Sequence, residues 1–300
     1  MPVTVNAPAK INLSLDVGER RDDGYHLIDT VMQTVSLYDT VTVWESDGPG
    51  VTLTLTGDGA GSLPADGSNT ACRAAAAFCS AAGIAEPAFG IRVHKRIPFA
   101  AGMAGGSADA AGVLTALNEL TGARLPQEEL YRIGGRIGAD VPFCLLGGTA
   151  RATGIGTILT PLPDLPDCYI VVVKPSAGVS TAEAYRAVDA AFGSAGEDGK
   201  SGVRRPHTSS LIDGVCAGDL SLVGRELCNV FEEAVRLPAV ESIKAHLRRF
   251  RPLGCLMTGS GSAVFGLETH RDDTSYADLF KSFVAEVRKR FFDRFALCVE

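Results

Sequence analysis

The sequence predicts an α+β fold in two domains, on three observations. Strand-like and helix-like segments come in clusters rather than in strict alternation, which favours α+β over a doubly wound parallel sheet. A chain of 300 residues is long enough for two cores of ordinary size. Pro161, Pro163 and Pro166 crowd the stretch just before an apolar run. That cluster marks the expected boundary, between an N-terminal domain of residues 1–160 and a C-terminal domain of residues 161–300.

The elements follow in order. Ile11, Leu13, Leu15 and Val17 alternate with Asn12, Ser14 and Asp16, the pattern of a half-buried strand. Residues 41–43, 51–55 and 89–93 read as further strands. Asn69 is placed to cap a helix through the alanine-rich stretch to about residue 82, where Gly83 stops it. A second helix starts near Ser107, with Leu114, Leu117 and Leu120 on one face and Gly122 at its end. A short third helix runs from Gln127 to Gly138, and residues 169–173 form an apolar strand. Ser180 and Glu183 have capping-box spacing and start a helix through Phe192. Residues 193–206, rich in Gly, Ser and charge and without periodicity, read as a surface loop. Beyond them come helical patterns, an apolar strand at residues 254–257 and a closing helix over residues 276–290.

Bulk properties exclude several functions. Hydrophobic residues make up 46% and charged residues 21%, the balance of a folded chain rather than a disordered one. A net charge of −7 argues against nucleic acid and anionic membranes as partners, since both attract basic surfaces. No run approaches the ~18 apolar residues of a membrane helix. The first 17 residues lack the basic and then apolar pattern of a secretory signal, so a cytoplasmic protein is expected. None of the eight cysteines forms a Cys-x-x-Cys pair or sits beside histidines in a zinc pattern. Reduced, mostly buried thiols are expected.

The most informative stretch is Pro98-Phe99-Ala100-Ala101-Gly102-Met103-Ala104-Gly105-Gly106-Ser107-Ala108, between a predicted strand and a predicted helix. Glycines let backbone N–H groups approach an anion, and a helix N-terminus adds positive dipole density. No Gly-Lys-Ser/Thr follows, so this is not a P-loop, and the dinucleotide Gly-x-Gly-x-x-Gly spacing is absent. Glycines alone would be as consistent with a turn that packs a helix against a sheet.

The surrounding residues decide between these. Pro-x-x-Ala-Gly-x-x-Gly-Gly-Ser resembles the second motif of the GHMP kinases. Pro8-Ala9-Lys10-Ile11-Asn12-Leu13 and Met257-Thr258-Gly259-Ser260-Gly261-Ser262-Ala263-Val264-Phe265 resemble the first and third, in the family's order. The resemblance implies a two-domain kinase with its active site in the cleft between domains, ATP bound by residues 98–108, and Mg²⁺. Many members carry two serines after the glycine pair, whereas here Ala108 follows Ser107. Ser107 keeps a hydroxyl that could reach a phosphate or Mg²⁺; as a plain alternative it would cap the helix.

Phosphoryl transfer to an alcohol needs a proton acceptor and charge neutralisation. In Gly138-Ala139-Asp140-Val141-Pro142, Pro142 disfavours helix at Val141, which places Asp140 past a helix end in irregular, exposed backbone. Taken alone, such a carboxylate is an ordinary surface group. The segment resembles the Gly-Ala-Asp-Val-Pro of one GHMP branch, the 4-diphosphocytidyl-2-C-methyl-D-erythritol kinases. That resemblance implies that Asp140 deprotonates the substrate alcohol, with Lys10 beside it to stabilise charge on the phosphoryl group.

The same branch carries Asp-Gly-Tyr-His, here Asp23-Gly24-Tyr25-His26. The resemblance implies that Tyr25 stacks on cytosine, His26 hydrogen-bonds its edge, and Tyr185 supplies the second ring. Asn12 is expected to contact the methylerythritol hydroxyls. The implied activity is ATP-dependent phosphorylation of the 2-hydroxyl of 4-diphosphocytidyl-2-C-methyl-D-erythritol, in non-mevalonate isoprenoid biosynthesis. Two other readings compete with it. One is a GHMP kinase for homoserine, mevalonate or a sugar; the other is a non-catalytic nucleotide-binding regulator of the same fold.

Overall fold

The computed structural model describes residues 1–176, 178–193, 204–269 and 295–299. The expected closing helix over 276–290 and most of the 193–206 loop lie outside them. The chain divides into two compact units, each discontinuous in sequence. The first is built from Met1–Lys10, Ser36–Phe99 and Ala104–Gly147. The second is built from Ile11–Val35, Ala100–Met103 and Gly148–Glu300. Two long strands, β1 (Val3–Arg20) and β2 (His26–Glu45), run through both.

In the first unit, β3 (Gly50–Gly57) pairs in parallel with β4 (Ala88–Lys95), and β4 pairs antiparallel with the C-terminal part of β2. Four helices accompany these strands: α1 (Thr70–Ala82), α2 (Gly105–Leu120), α3 (Gln127–Ile137) and α4 (Val141–Leu146). Asn69 accepts from the Ala71 N–H at 2.9 Å and Gly83 ends α1 in the left-handed region, as expected from the sequence. Helix α1 packs against α2; Ala74, Ala75 and Phe78 of α1 and Val113, Leu114 and Leu117 of α2 are buried.

In the second unit, β5 (Thr149–Thr153) pairs with the N-terminal part of β2 and with β6 (Ile158–Leu162). The proline cluster falls in and after β6, where Pro161 stands opposite Ala150. A second sheet begins with β7 (Cys168–Lys174). Helices α5 (Thr181–Gly193), α6 (Thr208–Ala217) and α7 (Leu220–Glu226) follow, then the short β8 (Cys228–Asn229), α8 (Val230–Val235) and α9 (Pro238–Leu247). Strands β9 (Gly254–Met257), β10 (Val264–Thr269) and β11 (Phe295–Val299) complete the antiparallel order β11-β7-β10-β9. Its core joins Val171 and Val173 of β7 to Ala184, Val188, Phe231, Val240, Ile243 and Leu247 from the helices. Ser180 and Glu183 form the predicted capping box: the Ser180 hydroxyl accepts from the Glu183 N–H, and the Glu183 carboxylate accepts from the Ser180 N–H, both at 3.2 Å.

Three expectations need correction. β1 is not half-buried at its centre, because Asn12 and Ser14 are as buried as their apolar neighbours. Both are hydrogen-bonded there; Ser14 Oγ, for example, accepts from Val31 N at 3.1 Å. The segment at Asp140 is not irregular, because α4 begins at once. Pro142 sits in its first turn, where the missing N–H costs no intrahelical bond. The thiols are free, but of the seven described only Cys72, Cys79 and Cys228 are buried, and Cys216 is exposed.

Candidate active site

Lys10 and Asp140 come together within the first unit. Lys10 Nζ lies 3.6 Å from Asp140 Oδ2, with the lysine side chain 5% exposed and the aspartate 36%. Asp140 is the N-cap residue of α4, yet its carboxylate makes no capping hydrogen bond. It is therefore half-buried, reachable and not spent on the helix. Ser107 is close by: a Cβ added to Gly138 would stand 3.5 Å from Ser107 Oγ. Ser107 is not the cap of α2, since that position is Ala104, in the left-handed region without a side-chain bond. Burial pushes the nearby Cys144 thiol up, with the charge of Asp140 adding to the effect, so this sulfur stays protonated.

The glycine-rich loop alternates in backbone hand. Ala100, Gly102 and Ala104 have φ of 50°, 73° and 59°. Alternation of this kind turns successive N–H groups toward a common concavity that suits an anion, and α2 adds its N-terminal dipole. The side chains of Ala101 and Met103 point inward and are buried. Within the second unit the loop packs on the third motif. Ala263 N donates to the Ala101 carbonyl at 3.2 Å, and a Cβ on Gly102 would come 2.1 Å from the Thr258 carbonyl oxygen. Only glycine fits there, for contact and for φ.

Asn12 ties the first motif to the third. Its Oδ1 accepts from Gly259 N at 3.0 Å, its backbone N donates to Thr258 Oγ1 at 3.0 Å, and its Nδ2 donates to Thr30 Oγ1 at 2.8 Å. The Thr258 hydroxyl lies 3.3 Å from both Asn12 Oδ1 and the Gly102 carbonyl. Asn12, which the resemblance implies as a contact for the substrate hydroxyls, is buried, and these hydrogen bonds join the two motifs.

Sequence reasoning missed a buried cluster beneath the loop in the first unit. Lys95 Nζ bonds Asp39 and, at 2.5 Å, Asp109 Oδ2. Asp39 also accepts from the backbone N–H groups of Arg96 and Ile97, at 2.5 and 2.8 Å. The Lys95 ammonium lies 3.6 Å from where a Cβ on Gly105 would sit. Burial pushes the Asp109 carboxyl up to about 7, with Lys95 opposing and Asp39 adding to the rise. Lys95 and Asp109 flank the loop in sequence, and that bracketing was the available signal.

The aromatic site forms in the second unit. Gly24, at φ 87°, closes a turn in which Arg21 N donates to the Tyr25 carbonyl at 2.7 Å. The turn leaves Tyr25 59% exposed and His26 buried at the start of β2. The His26 and Tyr185 rings stack, with centroids 4.9 Å apart and planes 18° from parallel. Phe231 meets Tyr185 edge-on at 4.9 Å. The structure thus joins His26 to Tyr185, while Tyr25 presents an open face.

Among the described residues no three His, Cys, Asp or Glu side chains gather as a metal cluster. Mg²⁺ does not need one, because it takes one or two protein oxygens and fills its octahedron with phosphate and water. The Ser107 hydroxyl, placed beside Gly138, fits that arrangement.

Residues 69–148 match the family model for the GHMP kinases N terminal domain. The chain is 40% identical over 288 residues to the 4-diphosphocytidyl-2-C-methyl-D-erythritol kinase of Caldicellulosiruptor saccharolyticus, covering 94% of each. It belongs to this family of GHMP kinases. Another member, from Geobacillus thermodenitrificans, is 40% identical and covers 90% of this chain and 89% of its own. A crystal structure of 4-(cytidine 5'-diphospho)-2C-methyl-D-erythritol kinase aligns with a TM-score of 0.72 at 32% identity, over 99% of both chains. Homoserine kinase from Cytophaga hutchinsonii shares the fold at a TM-score of 0.74 and 22% identity, over 100% of this chain and 94% of its own. Among the described residues no helix is long and apolar enough to cross a membrane.

Proposed function

We propose that the protein is a cytoplasmic kinase that transfers the γ-phosphate of ATP to the 2-hydroxyl of 4-diphosphocytidyl-2-C-methyl-D-erythritol, in non-mevalonate isoprenoid biosynthesis. The observation that carries this reading is the Lys10–Asp140 pair, with Asp140 accessible and the hydroxyl of Ser107 beside Gly138, two residues before it. The alcohol oxygen attacks the γ-phosphorus, its proton passes to Asp140, and the bond to the β-phosphate oxygen breaks to release ADP. Lys10 offsets the negative charge spread over the transferring group.

Backbone N–H groups of residues 98–108 hold the triphosphate. Mg²⁺, when bound, neutralises phosphate charge, and Ser107 would hold it. Tyr25 and Tyr185 supply ring faces for the cytosine, and His26 reads its edge. A coupled assay of ADP release tests the proposal. The diphosphocytidyl substrate should support turnover, whereas homoserine and mevalonate should not. Absence of turnover with the former would overturn the substrate.

A further inference from the structure

Asp189 stands on α5, the helix that carries Tyr185. Its Oδ1 lies 2.7 Å from His26 Nε2. A carboxylate can only accept, so Nε2 carries the hydrogen and donates it. A neutral imidazole holds one N–H, which leaves Nδ1 as an acceptor. No group among the described residues hydrogen-bonds Nδ1. Tyr185 covers one face of the imidazole and Phe231 steadies Tyr185, so the ring is held by its stack as well as by its hydrogen bond.

We propose that Asp189 is a positioning residue for base selection: it locks His26 in the Nε2–H tautomer, so that Nδ1 accepts from the exocyclic amino group of cytosine. Uracil carries a carbonyl oxygen at that place, and two lone pairs would then face each other. The discrimination comes from an unpaired polar edge rather than from stacking, which treats both bases alike. The inference rests on the assignment of His26 to the cytosine edge. It adds the group that fixes which hydrogen-bonding pattern that edge presents.

The test uses the full chain as wild type, Asp189→Asn and Asp189→Ala. Two quantities are read: competition by CDP and by UDP against the substrate, and the ¹⁵N shifts of the His26 ring. The wild type should show the Nε2–H tautomer and prefer CDP. Asp189→Asn keeps the shape but can donate to Nε2, and should move the hydrogen to Nδ1. Both variants should narrow the CDP over UDP ratio by about tenfold, the worth of one hydrogen bond. KM for the substrate should rise by more than kcat falls. Asp189 is 42% exposed, so both variants should fold, and circular dichroism checks this. A wild type that prefers CDP, with variants that keep its ratio, would overturn the role of Asp189 and leave the cytidine reading standing. A wild type that binds both nucleotides equally would overturn the cytidine reading and this inference with it. An Nδ1–H tautomer in the wild type would overturn the inference alone.

Discussion

At the scale of single residues, the proposed chemistry rests on a pair with unequal burial. Lys10 is enclosed and Asp140 is reachable, the arrangement the proposed role of Asp140 as proton acceptor calls for. Asp140→Asn keeps the shape and removes the acceptor. It should lower kcat by about 10²–10⁴-fold with little change in ATP affinity, as steady-state kinetics and calorimetry would show. Lys10→Met should lower kcat and kcat/KM together; a change confined to KM would contradict a transition-state role. Tyr185 touches His26 on one side and Phe231 on another. Tyr185→Phe keeps both ring contacts and should leave CDP binding nearly unchanged, because the ring face carries the stacking. Tyr185→Ala should weaken CDP binding by ~1–3 kcal/mol. It should also lower the melting temperature, because the ring packs against the second unit's core.

At the scale of elements, the glycine-rich loop has contacts of its own within each unit. Within the second unit its centre is pressed on the third motif, so Gly102→Ala meets both a carbonyl oxygen and an unfavourable φ. It should cost about 2 kcal/mol or more in urea unfolding. Gly106 differs: its added Cβ would meet the side chain of Thr70 at 3.2 Å, which can yield. Gly106→Val should therefore fold, yet lose the thermal shift given by ATP, since its branched side chain takes phosphate space. Within the first unit the Lys95–Asp39–Asp109 cluster stands under the loop and makes stability depend on pH. The folded carboxyl of Asp109 is raised from 3.8 to about 7, so the native state holds its proton where the unfolded state has lost it. The contribution is fully present below about pH 4 and is lost as pH rises toward 7, on the order of 1 kcal/mol per unit of the shift. Asp109→Asn should flatten that part of the profile, measured as urea midpoints from pH 4 to pH 8. An unchanged slope would remove Asp109 as its source.

At the scale of the whole molecule, the fold does not choose the substrate. Homoserine kinase from Cytophaga hutchinsonii and L. major mevalonate kinase align at TM-scores of 0.74 with only 22% and 15% identity. The same arrangement of strands and helices thus supports different acceptors, and selection must lie in particular side chains. The protein should therefore reject homoserine and mevalonate in the ADP-release assay despite sharing the fold of their kinases. ATP at about 100 times its Kd should stabilise the folded chain by about 2.7 kcal/mol, seen as a concentration-dependent melting temperature.

The sequence by itself determined whatever depends on neighbours along the chain. The Asn69 cap, the Ser180–Glu183 box, the glycine run before α2 and the identities of Lys10 and Asp140 are all local signals. Their physics is spent within one turn or one loop, and their order along the chain carries the family resemblance. Tertiary structure decided where polar groups find distant partners. Asn12 and Thr258 are 246 residues apart, and His26 and Asp189 are 163 apart. An alternating strand pattern gave no reason to bury Asn12, because the hydrogen bonds that allow it come from the other end of the chain. Lys95, Asp39 and Asp109 read as three ordinary charges until folding removes water from between them. A buried polar atom is tolerated only when a partner arrives with it, and that partner is set by packing rather than by local pattern.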